Sequence, residues 1–183
     1  NRWIDRVLLR VAPETVTRMS LSNAASGGKP VVLQRKDNAA SWSCEAPPAG
    51  RGAVRQSEVE SFLQRLSWIS VQEYKLPLQR VANKATLGLM PAQITFELTF
   101  KDGDAEKTAT FEVGSRVEGE DNVHYLLSSE APFLMTWPAA LVTSFEVDVA
   151  QSWFDPSGPP PNGDAPVKVD PVKDDSPQKG PVK

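Results

Sequence analysis

The clearest pattern along the chain is the alternation in Ile94-Thr-Phe-Glu-Leu-Thr-Phe100, where Ile94, Phe96, Leu98 and Phe100 point one way and Thr95, Glu97 and Thr99 the other. Such a period-2 pattern predicts a strand with one buried face. Lys101-Asp-Gly-Asp104 follows as a tight hairpin turn, since Asp-Gly tolerates the positive φ that such turns demand. The return strand, Lys107 to Gly114, puts Ala109, Phe111 and Val113 on the buried face. After an acidic loop at 116–122, the segment 123–129 is expected to turn Val123, Tyr125 and Leu127 inward, and 132–136 to add one more strand. Trp137-Pro138 then begins a short helix running to about Phe145, with Pro138 near its first turn.

The first half repeats the theme. Residues 7–11 form a short apolar run, and 16–22 place Thr17, Met19 and Leu21 opposite Val16, Arg18, Ser20 and Ser22. A Ser-Gly-Gly-Lys turn leads into a strand at 30–37, and Asp37-Asn38 turns into a further short strand at 41–45. One helix interrupts the strands. Ser57 and Glu60 have the spacing of a capping box, and Val59, Phe62, Leu63, Leu66 and Ile69 recur at three- and four-residue intervals as one apolar stripe. Arg55, Gln64 and Arg65 face away from it. The sum is an α+β fold: antiparallel β-meanders, one main amphipathic helix over about 57–69 packed on the sheet, and a short C-terminal helix.

Composition divides the chain in two. Residues 1–154 read as a single α+β domain, whereas 155–183 contain three Pro-Val-Lys repeats and no apolar side chain larger than valine. That segment cannot offset the entropy of ordering itself, and its proline density favours an extended spacer, so it reads as a disordered or extended tail. Its five Asp and four Lys do not make a polybasic anchor. Asn1 stands where an initiator Met would, which reads as a processed chain or a fragment of a longer one.

Charge and chemistry narrow the function classes. A net charge of −3 over 183 residues argues against a nucleic-acid surface, and no window holds the ~18 consecutive apolar residues of a membrane span. Any membrane contact would come through sequence outside this chain. Cys44 is the only cysteine and has no basic neighbour to activate it, so it reads as an inert thiol. His124, the only histidine, lies between apolar residues with no second ligand or partner carboxylate in register, which favours a structural strand residue over a general base. Asp102 and Asp104, or Glu118, Glu120 and Asp121, offer oxygens, but acidic turn tips are usually just solvated and neither run matches an EF-hand loop. With no Gly-x-Ser-x-Gly elbow and no phosphate loop, the sequence designates no catalytic, cofactor-binding or metal-binding residue and no cofactor.

Three signatures, in order, carry a resemblance. Trp42-Ser-Cys-Glu-Ala-Pro47 is similar to a W-x-x-x-x-P element that closes a first hairpin. Leu87-Gly-Leu-Met-Pro91 resembles a Tyr-Gly-Leu-x-x-Pro-like element leading into a long strand. Phe111-Glu-Val-Gly114 followed by Val123-His-Tyr-Leu126 looks like an "I-G … Y-V" strand pair. Together, over roughly residues 6–150, they resemble the bacterial family of domain of unknown function 4340. Leu87 stands where the family often has Tyr, and the proline-rich tail stands where another copy would follow. Physically, Gly88 supplies a positive-φ turn, Leu89 a core plug and Pro91 the extension into the strand.

The resemblance implies an envelope protein on the periplasmic side of the inner membrane, membrane-anchored, with a membrane or envelope protein partner and association with gliding-type ABC transporter auxiliary proteins. The expected function is therefore non-catalytic interaction or scaffolding, with a free sheet edge and the loop 115–122 as its contact surfaces. The alternative is a ligand-binding or hydrolytic domain whose site is assembled from scattered residues. A deep polar cleft holding His124 and two carboxylates would favour the alternative; a closed core with shallow grooves would favour the first.

Overall fold

A computed structural model describes residues 6–156. The proline-rich segment beyond Pro156 and the first five residues lie outside the described residues. Nine strands form: β1 (Val7–Arg10), β2 (Val16–Ser22), β3 (Val31–Gln34), β4 (Trp68–Ser70), β5 (Glu73–Pro77), β6 (Ile94–Asp102), β7 (Ala105–Arg116), β8 (Val123–Ser128) and β9 (Ala131–Pro138). The helices are α1 (Gln56–Leu66), α2 (Ala139–Val142) and α3 (Val149–Ser152), with single 3₁₀ turns between several elements. β1 and β4 make a small antiparallel pair, and the other seven strands make one antiparallel sheet in the order β3-β2-β6-β7-β8-β9-β5.

That order makes the chain wrap its own sheet. From the β3 edge the chain carries α1 into the main core and emerges at β5, on the opposite edge. It then returns through residues 78–93 to enter the sheet again as β6, past β9, β8 and β7. One face of the sheet carries the main core. Val16, Met19 and Leu21 of β2, Ile94 to Phe100 of β6, and Phe111 and Val113 of β7 meet Val59, Phe62, Leu63 and Leu66 of α1 there. Phe96 stacks on Phe111 at 4.5 Å and on Phe145 at 4.5 Å. The β6–β7 hairpin runs in unbroken register from Ile94↔Val113 to Asp102↔Ala105 around Gly103, at φ 63°. In β2, a register shift between Val16 and Arg18 lets both Val16 and Met19 face the core although three positions separate them.

Several expectations need correction. The helix ends at Leu66, and Ile69, although buried, belongs to β4. The capping box does not form: Arg55 is the N-cap and no side chain caps the helix. Glu60 is drawn elsewhere, because its Oε1 accepts from Arg35 Nη1 at 2.7 Å and from the Trp42 indole at 2.8 Å. Residues 41–45 form no strand, only an isolated bridge between Ser43 and Gln34. Trp42 is instead clasped by Gln56, whose side chain accepts from Trp42 N–H and donates to Trp42 C=O. Arg35 lies over the Trp42 ring, 4.5 Å from its centroid, and also donates to the carbonyls of Val16 and Pro13.

The W-x-x-x-x-P element is thus a peg pinned to α1 through Arg35, Glu60 and Gln56. Glu60→Gln removes the charge that faces a buried guanidinium, and is expected to cost about 1–2 kcal/mol in denaturant titration. An unchanged midpoint would mean that the guanidinium is held by its carbonyls alone.

The C-terminal boundary also shifts. Asp155 exchanges backbone hydrogen bonds with Gly52 and Ala53, 3.1 and 2.9 Å long, so it belongs to the domain and not to the tail. A chain ending at Pro156 is expected to melt within a few degrees of the longer one. A large drop would show that residues beyond it dock on the domain.

Candidate functional site

On β8 the expected phase is reversed. Leu126 joins the main core, and Tyr125 and Leu127 face the other way. The physical reason is that this half of the outer face is not wet. Leu127 and Leu134 pack there with Leu89, and Leu76, Leu78, Val81, Leu87 and Tyr125 gather around them as a second apolar cluster. The crossing segment 78–92 is what covers them.

Two glycines hold that segment down. Gly88 has φ 65°, the left-handed conformation expected of it. A Cβ on Gly88 would lie 2.7 Å from the backbone nitrogen of Ser115, and one on Gly114 would lie 2.2 Å from the carbonyl oxygen of Leu87. The second and third sequence signatures are therefore two halves of one contact, in which neither glycine has room for a side chain. The carbonyl of Gly114 is in turn 3.0 Å from His124 Nδ1, so His124 joins the same knot. Leu89 plugs the second cluster, and Met90-Pro91, a cis peptide, closes the turn bridging Leu89 to Ala92 before β6 begins.

Beside the knot lies a half-open groove of about 460 Å³. Its apolar lining is Leu76, Val81, Leu87, Val117, Tyr125 and Leu134, drawn from β5, the crossing segment, the 117–122 loop, β8 and β9. Two cations, Lys75 and Arg80, also line it, with Asn83 and Thr86. Lys75 Nζ is tied to Glu120 at 2.7 Å and to Glu73 at 2.8 Å. Hydrogen bonding first to Glu120 and then to Glu73 raises its pKa above the ordinary lysine value. A raised pKa means the pair's stabilisation is fully present below the unfolded lysine value of ~10.4 and fades as pH rises through the folded value. Both partners are partly solvated, so Lys75→Met is expected to change stability by less than about 1 kcal/mol at neutral pH, read by thermal melting.

The residues weighed from sequence are scattered. His124 is buried on the main-core side of β8, opposite Trp137 on β9. Cys44 is half-buried and packs against the core, and burial pushes its thiol pKa up, away from reactivity. Asp102 is paired with Lys107 at the hairpin tip. No group of three or more His, Cys, Asp or Glu side chains among the described residues is placed to hold a metal ion. The expected contact loop 115–122 is shorter than anticipated: Ser115 and Arg116 complete β7, Val117 is buried in the groove wall, and 118–122 remain at the surface with Glu120 tied to Lys75.

Both edges of the large sheet are blunted. β5 has Lys75 as an extra residue between Tyr74↔Met135 and Leu76↔Leu134, and it ends in Pro77. β3 is only four residues long, with Ser43 bridged to its end. Bulges, lysine and proline on an edge oppose strand addition, so the free-edge expectation is weakened. The groove itself, assembled from Leu76, Val81, Val117 and Tyr125, was missed. Its one sequence signal was weak: in 123–128 the adjacent Leu126 and Leu127, which point to opposite faces, are both apolar.

No curated protein and no solved structure matches the chain. No helix among the described residues is long and apolar enough to cross a membrane. A family model, described as domain of unknown function (DUF4340), matches residues 1–92. That span contains the Trp42 peg and the Leu87–Pro91 turn, while Gly114 and His124, which complete the knot, lie beyond it. With just over half of its length matched, the chain belongs to the family of domain of unknown function 4340.

Proposed function

We propose that the chain is a non-catalytic interaction or scaffolding domain of a bacterial cell-envelope protein, held at the periplasmic side of the inner membrane and auxiliary to an ABC-type transporter. The observation that carries the non-catalytic part is the position of His124. The only imidazole in the chain is buried, with Nδ1 engaged by the Gly114 carbonyl, where a general base would have to face solvent or substrate. The envelope setting rests on the family resemblance.

The surface loop 118–122 is the contact region this reading favours, because it is charged, largely exposed and held between β7 and β8. The test is made in the full-length protein in its own cells. A photo-cross-linking side chain at position 118 is expected to trap an inner-membrane transporter component, and a Gly-Ser replacement of 118–122 to reduce that product while leaving the melting temperature nearly unchanged. Turnover of any ester, phosphomonoester, peptide or glycoside substrate, abolished by His124→Ala in a still-folded protein, would overturn the reading in favour of an enzyme.

A further inference from the structure

The groove on the outer face has a polarity that neither packing nor the knot requires. Six apolar side chains larger than alanine line it, and four of them (Leu76, Val81, Leu87 and Tyr125) remain only half-buried although they belong to the second cluster. Its two lining cations are not equivalent. Lys75 is paired with both Glu73 and Glu120. Arg80 is exposed and makes no ion pair among the described residues, and no carboxylate lines the groove. The result is an apolar trough with one cation outside any ion pair, Arg80, at its margin. Its volume of about 460 Å³ falls within the ~300–1,000 Å³ usual for small-molecule sites.

We propose that this groove binds a single-chain anionic amphiphile, a free long-chain carboxylate, with the acyl chain along Leu76, Val81, Leu87 and Leu134 and the carboxylate on Arg80. The charge pattern selects this occupant. A neutral apolar molecule would gain nothing from the guanidinium, and a cationic amphiphile would bring like charge against it. A guanidinium also suits a carboxylate in particular, since its forked donors can engage both oxygens. Asn83 reinforces the choice: its Oδ1 accepts from Ala85 N–H at 2.9 Å, leaving the amide NH₂ as a further donor at the same margin.

The inference stands apart from the partner reading. Failure of amphiphile binding would leave a scaffolding domain intact, and discovery of turnover would remove that reading without touching the groove.

Titration calorimetry of the full chain with monomeric dodecanoate is the direct measurement. Saturable binding is expected, with dodecyltrimethylammonium binding far more weakly. Arg80→Gln should weaken dodecanoate about tenfold, as loss of a charge-assisted hydrogen bond implies. Val81→Glu, which places a carboxylate in the groove wall, should abolish binding in a chain that far-UV circular dichroism still shows to be folded. Because Arg80 is exposed, its variant keeps the test decisive even if Val81→Glu loses stability.

Equal affinity for the anionic and cationic amphiphiles, or an Arg80→Gln chain that binds dodecanoate like the parent, would overturn the assignment. So would absence of dodecanoate binding, including the case in which the chain instead associates with phosphatidylglycerol vesicles, which would make the face a membrane-contact surface.

Discussion

Gly114→Ala is expected to be among the most destabilising single substitutions in this protein, costing at least about 4 kcal/mol and leaving little folded chain under mild denaturant. The added methyl would sit 2.2 Å from the Leu87 carbonyl oxygen and 2.9 Å from Leu89 Cγ. The first obstacle is backbone, and that backbone is fixed from both sides: Gly88 N–H bonds to Ala85 C=O and Leu89 N–H to Lys84 C=O. Relief therefore requires lifting the crossing segment, which uncovers Leu127 and Leu134. Gly88→Val should act similarly, combining a 2.7 Å clash at Ser115 N with a left-handed φ that a β-branched residue adopts poorly.

Gly103→Ala is the control. Its φ is 63°, but nothing lies within 4 Å of the added Cβ, so only the backbone strain of about 1–2 kcal/mol remains. Urea titrations of the three variants separate the cases. Gly114→Ala unfolding at the parent midpoint would mean that the knot is loose enough to yield.

How much of this was legible in the sequence differs from element to element, for physical reasons. The β6–β7 hairpin was readable because Thr95, Glu97 and Thr99 alternate with fully apolar positions and a local Asp-Gly turn sets the register. The helix was readable because its stripe is local too. By contrast β5, Glu-Tyr-Lys-Leu-Pro, carries two charges and a proline because it is a defended edge, and the features that defend it also remove the strand pattern. The phase of β8 was misread because a covering segment some forty residues away turns its second face into core, and periodicity cannot report a cover it does not contain. Glu60 shows the same limit: local spacing favours a cap, but a buried guanidinium from Arg35 competes for the carboxylate and wins.

The family signatures were therefore better guides than periodicity where long-range contacts decide. Each marks a residue whose identity is set by something distant: Trp42 by Glu60 and Gln56, Gly88 by Ser115, Gly114 by Leu87. The candidate site was the least legible part. Val81, Val117 and Tyr125 are ordinary residues in three separate segments, and only the wrap of the chain around the sheet brings them together.

Phe62→Ala is expected to cost roughly 3–5 kcal/mol, because it leaves a cavity that its neighbours cannot close. Phe62 is 3% exposed at the centre of the α1 stripe. Its ring meets Phe145 edge-on at 5.3 Å and Trp153 at 5.0 Å, two residues from the C-terminal segment that closes the main core. Those partners are themselves held: Asn23 donates to the Phe145 and Val147 carbonyls, and Trp153 C=O accepts from Arg55 N–H at the start of α1. Held partners relax little, which places the cost at the upper end for a large-to-small change. Phe62→Leu retains most of the volume and loses the edge-on ring contacts, so it should cost less than half as much. Equal destabilisation by the two variants would mean that ring geometry, not volume, dominates. A cost below about 1 kcal/mol for Phe62→Ala would mean that the C-terminal helices collapse freely onto α1, and that the core is far less rigid than its packing implies.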